Sequence, residues 1–157
     1  MNVPISALLQ RKGSAVYSIA PHLSIFDAVV EMNRLRIGAI VIIDNGKLAG
    51  IFTERDVLHR VVGAGIDPKA VRVVDVMTRN VTTIVPEATV EEVAELFTEK
   101  HFRHLPVISS GKLVGLISIG DISRWVADHH RAEAEHLKNY IAGGLSSLSF
   151  LAPQKPC

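Results

Sequence analysis

The chain is poor in the features that mark many specialised proteins. Its single cysteine, Cys157, is the last residue. No intramolecular disulfide is possible, nothing points to an oxidising compartment, and the thiol reads as part of a solvated tail. Aromatic residues make up only 5% of the chain. The one tryptophan, Trp125, reads as packing against a helix or a dimer mate rather than stacking on a ligand. Neither sign of charge dominates: the formal net charge is +1, which gives no electrostatic reason to expect nucleic acid or an anionic membrane as a partner. No apolar run approaches the ~18 residues of a membrane helix. The start, Met1-Asn2-Val3-Pro4-Ile5-Ser6, lacks the charged and apolar regions of a signal peptide. A cytoplasmic protein is expected. Catalytic signatures are also missing: there is no Walker glycine loop, GxSxG, HExxH or CxxC. His101 and His104 are possible bases, but no nucleophile stands near them in sequence. A non-enzymatic protein is therefore expected.

What the chain does have is a repeat. The segment from Gly46 to Asp56, GKLAGIFTERD, returns from Gly111 to Asp121 as GKLVGLISIGD, 65 residues on. The same offset relates Pro21 to Pro86 and Val16 to Val81 without a gap. A period of this length means two copies of one supersecondary unit. With 157 residues a chain buries roughly 68–70% of its unfolded surface, whereas half that length is marginal. The copies should therefore pack on each other.

Within the first copy, Val3–Leu9 forms a short leading helix or turn and Val16–Ile19 a short strand. Ser24 opens a helix with Asp27 three residues on; Ile25, Ala28, Val29 and Met32 give it an apolar face, and Gly38 is expected to end it. Ala39–Ile43 is a continuous apolar strand. Asn45-Gly46 supplies the positive φ angles of a hairpin turn into Leu48–Phe52, and Thr53 caps a helix reaching about Val62.

A linker, Gly63–Pro68, leads to the second copy. Its leading segment is Val73–Met77 and its first strand Val81–Val85. Thr89 and Glu92 make a capping box for a helix with Val90, Val93, Ala94 and Phe97 inward. Leu105–Ile108 and Leu113–Ile117 form the hairpin, and Ser118 caps a last helix. That helix runs long, through Tyr140, with Gly143-Gly144 expected to stop it and a loosely ordered tail, Leu145–Cys157, to follow. The fold class is α+β, β-α-β-β-α twice. The domain reading is 1–65 for the first copy with its leading segment, 66–130 for linker and second copy, and 131–157 for a helical extension and tail.

The junction from hairpin to helix carries the chemistry. A Thr or Ser at an N-cap sits beside unpaired backbone N–H groups, which with the helix dipole favour an anion such as phosphate. Three residues on, Asp56 or Asp121 can accept bidentate hydrogen bonds from neighbouring hydroxyls, as a ribose presents. Gly50 and Gly115, on the preceding strands, allow close approach of a backbone or a flat ring. Plain capping explains the same residues without a ligand; their recurrence in both copies is what favours a site.

This duplicated Gly-hydrophobic-hydrophobic-Thr/Ser-x-x-Asp, with His104-Leu105-Pro106-Val107 on the strand before the second one, resembles a tandem pair of cystathionine-β-synthase (CBS) domains, a Bateman module. The resemblance covers about Val3 to Trp125 and is that of a stand-alone CBS pair. It implies two copies packed sheet on sheet with pseudo-two-fold symmetry, two clefts that bind AMP, ADP, ATP, NAD(H) or S-adenosylmethionine, and a homodimer whose state is read by a regulated protein. It assigns ribose hydroxyls to Asp56 and Asp121, with Thr53 and Ser118 near ribose or phosphate, and a phosphate to Arg55. Ile40 to Ile42, Pro106 and Val107 would flank the adenine, and backbone around Ser18, Thr82 and Thr83 would read its edge.

The copies differ where phosphates would lie. Arg55 corresponds to Gly120, and Gly38-Ala39 to Arg103-His104. Two inequivalent clefts are therefore expected. The alternative is an interaction or scaffold module with vestigial clefts and a docking C-terminal helix. His129, Glu133 and His136 share a helix face, which reads as a solvated polar surface rather than a metal site.

Overall fold

The computed structural model describes residues 2–148, with side chains through 143. By its contacts it divides into a body ending at Ile119 and a C-terminal unit beginning at Gly120.

The body opens with α1 (Ile5–Lys12) and β1 (Ser18–Ile19). Next come α2 (Ile25–Leu35), β2 (Ala39–Asp44) and β3 (Lys47–Thr53). One helical turn follows, α3 (Glu54–Asp56), continuing as a π-helical segment, Val57–Val62. The second copy has a 3-10 turn at Val73–Asp75, then α4 (Val90–Lys100), β4 (His104–Ser109) and β5 (Lys112–Ser118). β1 pairs parallel with β2, which pairs antiparallel with β3; β4 pairs antiparallel with β5.

Local signals explain most of these boundaries. Ser24 Oγ accepts the Asp27 N–H at 3.0 Å, and Thr89 and Glu92 form the full reciprocal box. Asn45 and Gly46 take φ of 49° and 77°, and Ser110 and Gly111 repeat this at 51° and 76°. Both hairpins shift register at corresponding places, between Ile42 and Ile43 and between Val107 and Ile108.

Three expectations are corrected. Gly38 does not end α2: Arg36 takes the left-handed C-cap conformation, its N–H donating to Asn33 and Met32 carbonyls, and His101 does the same after α4 with φ 57°. Gly38 instead keeps space, since a Cβ there would lie 2.7 Å from Glu54 Oε1. Val81–Val85 is not a strand. Only Ile84 makes an isolated parallel bridge, to Val107, because Thr82, Thr83 and Val85 are exposed and Pro86 ends the segment. Gly143-Gly144 do not stop the last helix, which continues to Leu148; glycine lowers helix propensity by about 1 kcal/mol but does not forbid it. The expected tail beyond Leu148, including Cys157, lies outside the described residues.

The copies interlock through their leading segments. Ile5 N–H donates to Ala88 O, Ser6 N–H to Pro86 O, and Val90 N–H to Val3 O. The matching bonds in the first copy are Val73 to Leu23 O, Val74 to Pro21 O, and Ile25 to Val71 O. The segment before each copy therefore pairs with the other copy: residues 3–9 attach to the second copy, and residues 71–77 to the first. The core of the first copy joins Ile25, Ala28 and Met32 of α2 to Ile40, Ile42 and Phe52 of the sheet and to Val73, Val76 and Met77. Because side chains alternate along a strand, Ala39, Val41 and Ile51 face the other way. They pack with Val16, Leu48, Val81, Leu113 and Leu116, so apolar residues of the two hairpins meet at the centre of the body. Each such buried side chain contributes roughly 1.5–3 kcal/mol.

The C-terminal unit consists of the rest of α5 (Ile119–Leu148). Residues 131–143 are exposed on every side. No helix among the described residues is long and apolar enough to cross a membrane.

Candidate functional site: a buried carboxylate at the hairpin exit

Thr53 leaves β3 with φ −125° and caps α3. Its hydroxyl accepts the Asp56 N–H at 3.3 Å, while Asp56 Oδ2 accepts the Thr53 N–H at 3.0 Å and lies 3.3 Å from the Thr53 hydroxyl. This box folds the Asp56 carboxylate back under the strand end, where it is 7% exposed. Its other oxygen, Oδ1, is approached by the Thr78 hydroxyl at 3.5 Å and by Arg60 Nε at 3.6 Å. Arg60 Nη1 donates in turn to Val76 O and Met77 O, each at 3.2 Å. Thr78 is fixed by exchanging both backbone hydrogen bonds with Ile51. The carboxylate thus joins three pieces: the end of the hairpin, the start of the helix, and the segment leading to the second copy.

One backbone bond of this junction recurs in both copies. Glu54 N–H donates to Gly38 O at 3.0 Å, and Ile119 N–H donates to Arg103 O at 2.9 Å. Each bond ties the residue after the hydroxyl-bearing cap to the residue just before the first strand of the hairpin.

The other residues singled out in the sequence fall as follows. Ser18 pairs with Val41, and Thr83, its counterpart, is exposed beside Thr82. Ile40 and Ile42 are fully buried in the core against α2; Ala39 and Val41 face the inter-copy side. Pro106 and Val107 are buried in β4, and Pro106 O accepts the Ile84 N–H at 3.0 Å. His104 pairs with Ser118 across the second hairpin, Arg103 is exposed, and Asp121 lies in the first turn of α5. Arg55 reaches the second copy, its Nη1 donating to His101 O at 3.1 Å.

Gly50 and Gly115 do allow close approach, but by protein. A Cβ on Gly50 would meet Met77 Sδ at 2.6 Å and Thr78 O at 2.7 Å, and one on Gly115 would meet Leu9 Cδ2 at 2.6 Å. The leading segments lie over both glycines.

Two residues escaped the sequence reading, Arg60 and Thr78. Their spacing from Asp56 carries one weak signal, an Asp–Arg pair four residues apart. Among the described residues no group of three or more His, Cys, Asp or Glu is placed to hold a metal ion. His129 Nε2 pairs with Glu133 Oε1 at 3.2 Å within α5.

A strand-to-helix junction repeated on two packed hairpins defines a tandem repeat of one α+β unit, and comparison with known proteins identifies it. The CBS domain model matches residues 13–63 and 73–128. The chain belongs to the CBS-domain family, as a tandem pair. It is 39% identical over 126 residues to a mitochondrial CBS domain-containing protein of Arabidopsis thaliana, a match covering 77% of this chain and 61% of that relative's length. The crystal structure of a CBS domain superposes with TM-score 0.76 at 38% identity, covering 79% of this chain and 97% of the other. A CBS-domain containing protein from Agrobacterium tumefaciens gives TM-score 0.74 at 38% identity, covering 78% and 98%.

Proposed function

We propose that this tandem CBS module is a non-enzymatic sensor that binds an adenosine-containing nucleotide, AMP, ADP, ATP or NAD(H), in a cleft between its two copies. The observation that carries the reading is the duplicated junction, in which the same backbone bond holds Glu54 to Gly38 and Ile119 to Arg103. Each junction sets a hydroxyl and, three residues on, a carboxylate at the exit of a hairpin. A carboxylate there is suited to a ribose diol and the neighbouring N–H groups to phosphate. Binding favours one arrangement of the copies to the extent that the ligand's affinity differs between arrangements, and a partner protein or a second copy of the chain reads the change. Phe26 and Val30 on α2, with Leu58 and Val62 on the π-helical segment, are exposed apolar residues that suit a homodimer contact.

The test is to denature protein purified from cells and analyse the supernatant for AMP, ADP, ATP and NAD(H). Released nucleotide in near-stoichiometric amount supports the reading. Empty supernatant, together with no thermal stabilisation by added nucleotide, rejects it.

A second reading rests on α5. Leu137, Tyr140 and Ile141 are exposed at helical spacing, as in a helix that docks to another protein. In that case the module is a scaffold with vestigial clefts.

A further inference from the structure

The outer face of the first copy differs from that of the second at matching positions. α2 and the π-helical segment cover one side of the first sheet: Ile25, Ala28 and Met32 of α2 and Val61 of the segment share a core with Ile40, Ile42 and Phe52. The chain between them closes this layer, since Ile66 N–H donates to Val61 O at 3.0 Å and Phe26 N–H to Pro68 O at 2.9 Å. Turned away from the core are Phe26 and Val30, one turn apart on α2, and Leu58 and Val62 on the segment, all between 42% and 68% exposed. Lys69 reaches over the Phe26 ring, its Nζ 4.8 Å from the centroid, and its stem extends the apolar surface.

The inward positions of the helix are apolar in both copies. At the 65-residue offset Ile25, Ala28 and Met32 become Val90, Val93 and Phe97, and all six are buried. The outward positions are not. Phe26 becomes Glu91, Val30 becomes Glu95, Leu58 becomes Ser123 and Val62 becomes Ala127, each of them exposed. An exposed apolar patch of this kind marks an interaction site, and only the first copy carries it.

Charge decides which surface of a second chain fits it. Around the apolar four the signs are mixed: Asp27 and Asp67 stand with Lys69, and Glu31 pairs with Arg34. This face can therefore meet itself about a two-fold axis without repulsion. The outward face of α4 carries Glu91, Glu92, Glu95 and Glu99. Set against its own copy, it would oppose like charges, and set against Phe26 and Val30, it would take carboxylates out of water onto apolar side chains.

We propose that the chain forms a two-fold dimer joined first copy to first copy, through Phe26, Val30, Leu58 and Val62, and that the glutamates of α4 forbid the arrangement in which a first copy meets a second. This rests on that part of the proposed function which pairs two chains, and nucleotide binding does not enter it.

The experiment is sedimentation equilibrium of the full chain as wild type, Val30→Glu and Val30→Lys at equal concentrations, with circular dichroism to confirm folding. Wild type is expected to be a dimer. Both variants are expected to dissociate at least about tenfold more readily, because each sets like charges against each other across the same-face contact. Leu58→Glu, placed on the other element at a position 61% exposed, is expected to do the same and guards against a folding defect of the Val30 variants. A Val30→Lys chain that dimerises as well as wild type while Val30→Glu does not would mean that Val30 faces Glu95 of a second copy; it overturns the proposed orientation and leaves the homodimer standing. Variants that all remain dimeric overturn the proposal by placing the contact elsewhere. A monomeric wild type overturns both the proposal and the homodimer.

Discussion

Leu9 lies over Gly115 so closely that a Cβ on the glycine would stand 2.6 Å from Leu9 Cδ2. Met77 holds the corresponding place over Gly50, but there the backbone carbonyl of Thr78 is also only 2.7 Å from an added Cβ. The two glycines are alike in sequence and differ in what presses on them. Leu9 can change rotamer, whereas Thr78 O is fixed by its bonds to Ile51. Gly50→Ala is expected to destabilise the fold by about 1–3 kcal/mol, the range for overpacking, and Gly115→Ala by clearly less. Chemical denaturation of both variants checks the order; equal losses would mean that the leading segments yield equally.

The attachment of residues 3–9 to the second copy makes a second prediction. Ile5 is fully buried and its N–H donates to Ala88 O. Ile5→Ala should cost about 2–5 kcal/mol, as large-to-small core changes do. A loss below 1 kcal/mol in equilibrium unfolding would show that α1 is dispensable to the core.

Helix capping gives a smaller effect. Thr89 and Glu92 satisfy each other's backbone N–H groups at 2.8 and 3.1 Å at an exposed helix start. Thr89→Ala is expected to lower stability by about 1 kcal/mol, with nucleotide binding unchanged. Thermal unfolding and titration of the same variant separate the two quantities.

Much of this architecture was legible in the chain. The 65-residue offset, the Asn45-Gly46 turn and the Thr89–Glu92 box are set by residues close in sequence, where local chemistry decides. Long-range terms decided the rest. The leading segments obey an offset of 68, from Ile5 to Val73, because the first copy has three more residues between its leading segment and Val16 than the second has before Val81. The resemblance implies a ligand-flanking stretch from Ile40 to Ile42, while strand alternation turns the side chains of Ile40 and Ile42 into the core. Val81–Val85 has strand composition, yet only Ile84 finds a bridge partner. Arg60 stands out only once Val76 and Met77 are seen beside it.

On the proposed function Asp121, the counterpart of Asp56, holds a ribose in one of the two clefts. Asp121→Ala is expected to remove nucleotide-induced stabilisation from that cleft while the apo protein remains folded, with a modest loss from the helix start. An apo protein that unfolds instead would make Asp121 structural and its assignment wrong.

The central claim is that the folded chain binds an adenosine nucleotide. The most direct measurement is the melting temperature of the wild-type protein against rising AMP, ATP and NADH. A ligand at 100 times its dissociation constant stabilises the native state by about 2.7 kcal/mol, which for a chain of this size raises the midpoint by roughly 5–10 °C. The account predicts a saturable rise of that size with at least one of the three. A midpoint that stays constant to millimolar concentrations of all three would contradict it.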